Sequence, residues 1–204
     1  TIWFDTWISG YHFVFLGGEA AGLHADLSNA QLAWLEETLA KDRVEGRPTF
    51  LFLHQGLIDT VAGTFQYQNW HGVKQSAQLR RILRQYPEVV LFSGHSHWTM
   101  ESAHTVKPAD SSLPSVVSTA SCAYLWDDSC IATNVGIVGS EGYYIYLYEN
   151  CLIVRGRSFD RGEWIGSAQF ILPLPTSGGT ETESATETAT EPVTEPVTGT
   201  EPDS

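Results

Sequence analysis

Three histidines stand just beyond apolar runs that predict buried strands. His54 follows the run TFLFL, and His95 and His97 follow the run EVVLF within the segment SGHSH. In an open α/β sheet, ligands bind beyond the carboxyl ends of the strands, so two strands here deliver imidazoles to one edge. Imidazole is a good ligand for zinc, iron and similar borderline metals, so the sequence predicts a metal site at this edge.

The spacing of His95 and His97 suggests two ions rather than one. In an extended segment, residues i and i+2 point to the same side with Cα atoms roughly 6.5–7 Å apart. That separation is awkward for two ligands of one ion, but it suits two ions about 3.5–4 Å apart that each take one imidazole. We expect Gly94, which has no Cβ, to let the chain turn sharply before the pair. A hydrolytic site of this kind also needs carboxylates to bridge the ions.

The elements that would position these histidines alternate along the chain. Ser28 is a good N-cap with Gln31 three residues on, which is the pattern of a capping box. Hydrophobic periodicity predicts a strand over 11–16, a helix over 28–41, a strand over 49–53, a helix over 76–86 and a strand over 88–92. This β-α-β-α-β order predicts a mostly parallel sheet with helices packed on it.

Beyond residue 98 the pattern changes to strands without a helix signal. The β-branched and aromatic runs cover 115–119, 142–148, 151–159 and 167–174. Glu149-Asn150 predicts a hairpin turn, and the adjacent Asp127 and Asp128 predict another turn. We therefore expect the last third of the folded region to be mainly antiparallel.

Composition limits the classes of function. The chain has 204 residues, a hydrophobic content of 42% and a net charge of −13, with only 11 Lys and Arg. This hydrophobic content is that of a globular protein, and no apolar run approaches the roughly 18–20 residues that span a bilayer. Binding to nucleic acid or anionic lipid is not expected, because it needs many basic side chains.

The charge is concentrated at one end, which divides the chain into 1–175 and 176–204. The second part holds six Glu, one Asp and nine Thr but no aromatic residue, and it leaves 17 acidic and 11 basic residues in the first. It has too little apolar surface to offset the entropy of ordering, so we expect a disordered Thr/Glu/Pro-rich linker or stalk. Such segments are common on secreted proteins, which suggests an extracellular or cell-surface location.

Two further features leave alternatives open. The chain opens with the core-like sequence TIWFDTW and no signal peptide, so we expect it to begin inside a domain. Cys122 and Cys130 could form a disulfide if the protein is exported, but with Cys151 they could equally be three free thiols.

Three successive segments resemble the C-terminal half of the calcineurin-like metallophosphoesterases. They are LSNAQLAWLEETLA, FLFLHQG and QLRRILRQYPEVVLFSGHSHW. Relatives of these enzymes include purple acid phosphatases and cyclic-nucleotide phosphodiesterases. The matching portion runs from about Tyr11 to Trp98, and the strands up to about residue 172 look like the closing strands of that family. The resemblance implies an α/β fold in which a mixed β-sheet sandwich is flanked by helices (α/β/β/α), with 1–175 as its C-terminal part.

The resemblance also implies an activity and roles for the histidines. The activity is hydrolysis of a small phosphate ester, as a phosphatase or phosphodiesterase, with two divalent or trivalent metal ions (Zn, Mn or Fe). His54 and His95 would bind the second metal, and His97 would bind the first. His71, in the loop between the two strands, could contact the phosphate, or it could be an ordinary surface histidine.

The departures from the family pattern are informative. The Asp-x-His, Gly-Asp and Gly-Asn-His motifs of the family's first half are missing from the sequence, and its His-x-Pro is changed to His54-Gln55-Gly56. The first ion would have one ligand, His97, and the second would have two, His54 and His95, which is too few to bind either ion tightly. We therefore expect the chain to be a fragment that lacks the catalytic motifs and is inactive by itself. The alternatives are a non-catalytic, surface-displayed binding module of the same fold and a mononuclear zinc hydrolase.

Overall fold

A computed structural model describes residues 2–41, 43–44, 46–68 and 71–175 of the protein. The predicted linker, 176–204, lies outside these described residues. The elements are β1 (Phe4–Ile8), β2 (Tyr11–Leu16), α1 (Asn29–Lys41), β3 (Thr49–Leu53), α2 (Ser76–Leu83), β4 (Val89–Ser93), β5 (Val106–Lys107), β6 (Ser115–Ser118), β7 (Tyr124–Leu125), α3 (Asp128–Thr133), β8 (Ile137–Val138), β9 (Glu141–Leu147), β10 (Cys151–Ser158) and β11 (Glu163–Pro173).

The larger sheet has the strand order β1-β2-β3-β4-β6-β5. Strands β2, β3, β4 and β6 are parallel, and β1 and β5 run antiparallel at the two edges. The predicted β-α-β-α-β order and its parallel pairing are confirmed. The last third is mainly antiparallel, as expected, but β6 within 115–119 is mixed: it runs parallel to β4 and antiparallel to the two-residue β5. All four residues of β6 are buried, as is usual for a strand covered on both faces.

Helices α1 and α2 cover one face of this sheet. Ser28 caps α1, since its hydroxyl accepts from the Gln31 N–H at 3.2 Å. The Gln31 side chain bonds Gly17 instead of closing the capping box, and α2 ends at Leu83 rather than at residue 86. The core on this face consists of helix and strand residues that are at most 7% exposed, including Leu32, Leu35, Leu39, Leu79, Ile82 and Leu83 from the helices and Val14, Leu51 and Leu91 from the strands.

A second sheet, in the order β11-β10-β9, covers part of the opposite face. Strands β9 and β10 form the hairpin predicted at Glu149-Asn150. Leu152 and Val154 of β10 are fully buried in one cluster with Phe50 and Phe92 of the larger sheet. The described residues therefore form a mixed α/β fold of helices, a large mixed sheet and a small antiparallel sheet.

Three local features differ from the sequence-based expectations. The opening segment is an edge strand rather than core, with Phe4 52% and Trp7 44% exposed. A short helix, α3, replaces the turn expected at Asp127-Asp128. Its N-terminus is capped by the Asp127 carboxylate, which accepts from the N–H groups of Ser129 and Cys130.

The three cysteines are free thiols in the structure, so the disulfide alternative for Cys122 and Cys130 is not realised in it. Among the residues that the structure describes, no helix is long and apolar enough to cross a membrane.

Candidate metal centre

Strands β3 and β4 bring His54 and His95 together at the carboxyl edge of the larger sheet. The two strands pair in parallel, and just beyond their ends the Gly94 N–H donates to the His54 carbonyl at 3.0 Å. The imidazole ring centroids of His54 and His95 lie 5.1 Å apart, with their planes at 74°. The expected proximity of these two side chains is therefore observed, whereas their role as metal ligands stays a prediction.

The chain is not extended through the SGHSH segment, so the expected geometry of His95 and His97 is wrong. His95 has a φ of 67° and His97 a φ of 56°. The Ser96 N–H donates to the Gly94 carbonyl at 2.7 Å and closes a γ-turn around His95. A γ-turn with positive central φ is rare and strained, and here His95 rather than Gly94 makes the sharp turn. Strain of this kind persists only where neighbouring contacts hold it, and it clusters at functional sites.

The long loop after β3 holds this turn in place. Gly63 packs so closely against the turn that a Cβ on it would lie 2.4 Å from the Cβ of Ser96. The Gly63 N–H donates to the Gln68 side chain at 2.7 Å, and Gln68 in turn donates to Asp128 at 2.8 Å. The strained turn is therefore packed against the loop, and that loop is tied to the start of α3.

The His97 ring contacts a different segment of the chain, strand β7. The ring packs on Tyr124, with centroids 4.5 Å apart, and the His97 carbonyl accepts from the Trp126 N–H at 2.8 Å. The His97 Nδ1 atom is buried and has no hydrogen-bond partner among the described residues. Because a buried polar atom without a partner is costly, a ligand at this nitrogen would relieve the cost.

Two further histidines extend the cluster. His71 lies beside the pair, with its ring centroid 6.4 Å from that of His95. On its other side His71 meets His24 edge to face at 4.8 Å, and His24 Nδ1 lies 3.2 Å from the Gly72 carbonyl. Sequence reasoning did not include His24 in the site. The signal that could have found it is its place in the loop after parallel strand β2, which ends at the same edge as β3.

Burial lowers the pKa values of His95, His71 and His97, and this keeps these three imidazoles neutral near pH 7. Burial, followed by the neighbouring His54 and His71, lowers the pKa of His95 to about 4. Burial and then His24 lower the pKa of His71, and burial lowers that of His97 against a smaller opposing effect of a backbone hydrogen bond. Neutral imidazole is the form that coordinates metal ions.

A cavity of about 290 Å³ opens at the same edge, beside His54. It is lined by the carboxyl ends of β2, β3 and β4 and by the side chain of Thr119. The Thr119 hydroxyl donates to the Ser93 carbonyl at 3.1 Å, which joins the segment after β6 to the end of β4. The cavity lies where open α/β sheets bind their ligands.

The histidines fit part of a metal centre. Two imidazoles on one tetrahedral ion, with nitrogen–metal distances of about 2.1 Å, place their ring centroids roughly 5 Å apart, which agrees with His54 and His95. In the described ranges, however, no three His, Cys, Asp or Glu side chains form a group that could hold an ion. The part of the chain seen here thus offers imidazoles in suitable positions without the accompanying carboxylates.

Comparison of the sequence with models of known protein families and with curated protein sequences found no match. The likeness to the metallophosphoesterases therefore depends on the motifs of this sequence. The positions of the imidazoles are a separate, structural observation.

Proposed function

We propose that this chain supplies the histidine ligands of a two-metal centre that hydrolyses phosphate esters, as the C-terminal part of a metallophosphoesterase-like domain. One observation carries the proposal. The imidazoles of His54 and His95 meet beyond the ends of adjacent parallel strands, and His95 sits on a strained turn. Both features are expected where a site requires a fixed geometry.

His54 and His95 would hold one ion and His97 the other. When bound, a pair of zinc, manganese or iron ions neutralises charge on the phosphate and makes water acidic enough to ionise near neutral pH. The described residues place no carboxylate group with these imidazoles to complete the set. We therefore expect weak metal binding and little hydrolysis from the 204-residue chain by itself.

The substrate we propose is a small phosphate ester. His71 is half-buried and neutral, and it lies beside His95, so a ring N–H there can donate to a phosphate oxygen. The cavity beside His54 is near the lower end of the usual size of ligand pockets. Nucleic acid is a poor candidate because residues 1–175 carry 17 acidic and 11 basic side chains.

The first experiment is calorimetric titration of the full chain with zinc and with manganese. The variant is His95→Asn, and the matched control is His104→Asn. Both positions have a left-handed backbone, with φ of 67° and 62°, which Asn tolerates. We expect His95→Asn to weaken zinc binding by at least about tenfold and His104→Asn to leave it unchanged. Equal affinity in wild type and in His95→Asn would overturn the proposal.

A different result would favour the second class of function. If the wild-type chain binds neither zinc nor manganese, a non-catalytic binding module of the same fold becomes the better explanation of the histidines. An extracellular or cell-surface location also remains a proposal, which depends on the Thr/Glu/Pro composition of 176–204.

A further inference from the structure

Strand β9 is an edge strand of the smaller sheet. It pairs with β10 on one side only, and at the hairpin end the Tyr148 N–H donates to the Cys151 carbonyl at 2.9 Å. Hydrogen bonding alternates along an antiparallel strand, so even-numbered residues face β10. The N–H and C=O groups of Tyr143, Ile145 and Leu147 therefore point to the other side. The described part of the chain places no strand there.

The same three residues wall a large apolar cavity, the β9 cleft. Its volume is about 630 Å³, and its floor is formed by β1, β2 and β3 through side chains that include Ile8, Phe13 and Phe52. Protein interiors are close-packed, and voids much larger than a water molecule are few. An apolar space of this size between two sheets is therefore an incomplete core.

We propose that the β9 cleft binds an extended polypeptide segment with uncharged apolar residues at alternate positions. The segment would pair with the outward-facing backbone of β9 and add a strand to the smaller sheet. Its apolar side chains would enter the cleft and pack against Phe13 and Phe52. Strand β9 is suited to this because residues 142–147 carry no charged side chain and no proline, the usual devices that protect an edge.

Two other occupants, the acidic segment 176–204 and a second copy of the chain, fit the cleft less well because of their charge and their size. Residues 176–204 carry seven acidic side chains and no aromatic one, and none of the described residues that line the cleft is a Lys or Arg that could neutralise them. A second copy that paired its own β9 with this edge would bring its own β1 and β2 into the same space. Residues of β1 and β2 line the cleft in each copy, so the two copies would compete for the same space.

The experiment measures amide hydrogen exchange of the full chain by NMR. The probe is a capped peptide of about seven residues with valine or isoleucine at alternate positions and threonine between them. At ten times its Kd, we expect the peptide to slow exchange at Tyr143, Ile145 and Leu147 roughly tenfold. Tyr144 and Tyr146 already bond to β10 and should change less.

Two lysine substitutions on β9 provide the matched comparison. Ile145 is 37% exposed and faces the cleft, whereas Tyr146 is 39% exposed and faces outward. Ile145→Lys should abolish the slowing, and Tyr146→Lys should keep it. Thermal melting of both variants shows whether each is folded.

Three results would overturn the proposal. The first is unchanged exchange at saturating peptide. The second is slow exchange that depends on protein concentration without peptide, which would indicate a second copy. The third is that the peptide displaces a dodecyl compound bound in the cleft but does not slow amide exchange in β9. This result would indicate a site for small apolar molecules.

Discussion

Replacing Gly63 by alanine tests whether the loop after β3 holds the histidine turn. Gly63 is buried and has a φ of 79°. An added Cβ would lie 2.4 Å from the Cβ of Ser96 and 2.8 Å from a ring carbon of Trp98. Real Cβ atoms essentially never approach so closely, so the turn or the loop must move. Ser96 lies between His95 and His97, and the displacement therefore reaches the candidate site.

Two contributions set the magnitude for Gly63→Ala. A left-handed backbone costs alanine about 1–2 kcal/mol, and overpacking in a tight interior costs about 1–3 kcal/mol more. The free energy of unfolding should fall by about 2–5 kcal/mol. Gly162 is the matched control, because its φ is 67° but its added Cβ meets only the Arg157 side chain at 4.0 Å. Gly162→Ala should therefore cost only the first contribution.

Urea unfolding of the two variants separates these contributions, and zinc titration reports the site. A loss of about 3 kcal/mol corresponds to a fall in Tm of roughly 6–12 °C for a chain of this size. We expect Gly63→Ala to be the less stable variant and to bind zinc more weakly, and Ser96→Gly to restore part of the stability in the Gly63→Ala background. Equal destabilisation by Gly63→Ala and Gly162→Ala would refute the claimed contact with the turn.

Two further predictions follow from local contacts. Since burial lowers the pKa of His95 from 6.5 to about 4, the unfolded chain binds a proton that the folded chain does not. With a chelator present to remove metal ions, the free energy of unfolding should have its full value above pH 6.5. It should fall by at most about 3 kcal/mol as the pH drops to 4. His95→Asn should flatten this dependence in urea titrations at several pH values. Asp127→Ala removes the cap of α3 and should lower the free energy of unfolding by about 1 kcal/mol, measured in the same way; no change would mean that the cap contributes nothing.

The parts of the fold that sequence predicts best are those with a strong local pattern. Helix α1 has an apolar stripe and an N-cap, and β3 and β4 are continuous apolar runs bounded by polar residues. The direction of strand β6 could not be predicted in this way. Four consecutive buried residues are equally compatible with a parallel and an antiparallel strand. Helix α3 was missed because its main signal is a single capping aspartate, which also starts turns.

For the candidate site, the sequence determined which side chains reach the carboxyl edge of the sheet. His54 and His95 directly follow predicted strands, and parallel strands end at a common edge. The sequence could not show that His95 and His97 adopt left-handed backbone conformations, because neither residue type requires them. Packing against Gly63 and the loop after β3 holds that geometry, and this contact joins residues more than thirty positions apart.

The sequence by itself determined the alternation of strands and helices, because hydrophobic periodicity and capping act over a few neighbouring residues. Only the tertiary structure decided the direction of β6, the strained turn at His95, the addition of His24 to the cluster and the open edge of β9. These features depend on contacts between segments distant along the chain. Such contacts are set by packing and space, which no local pattern records.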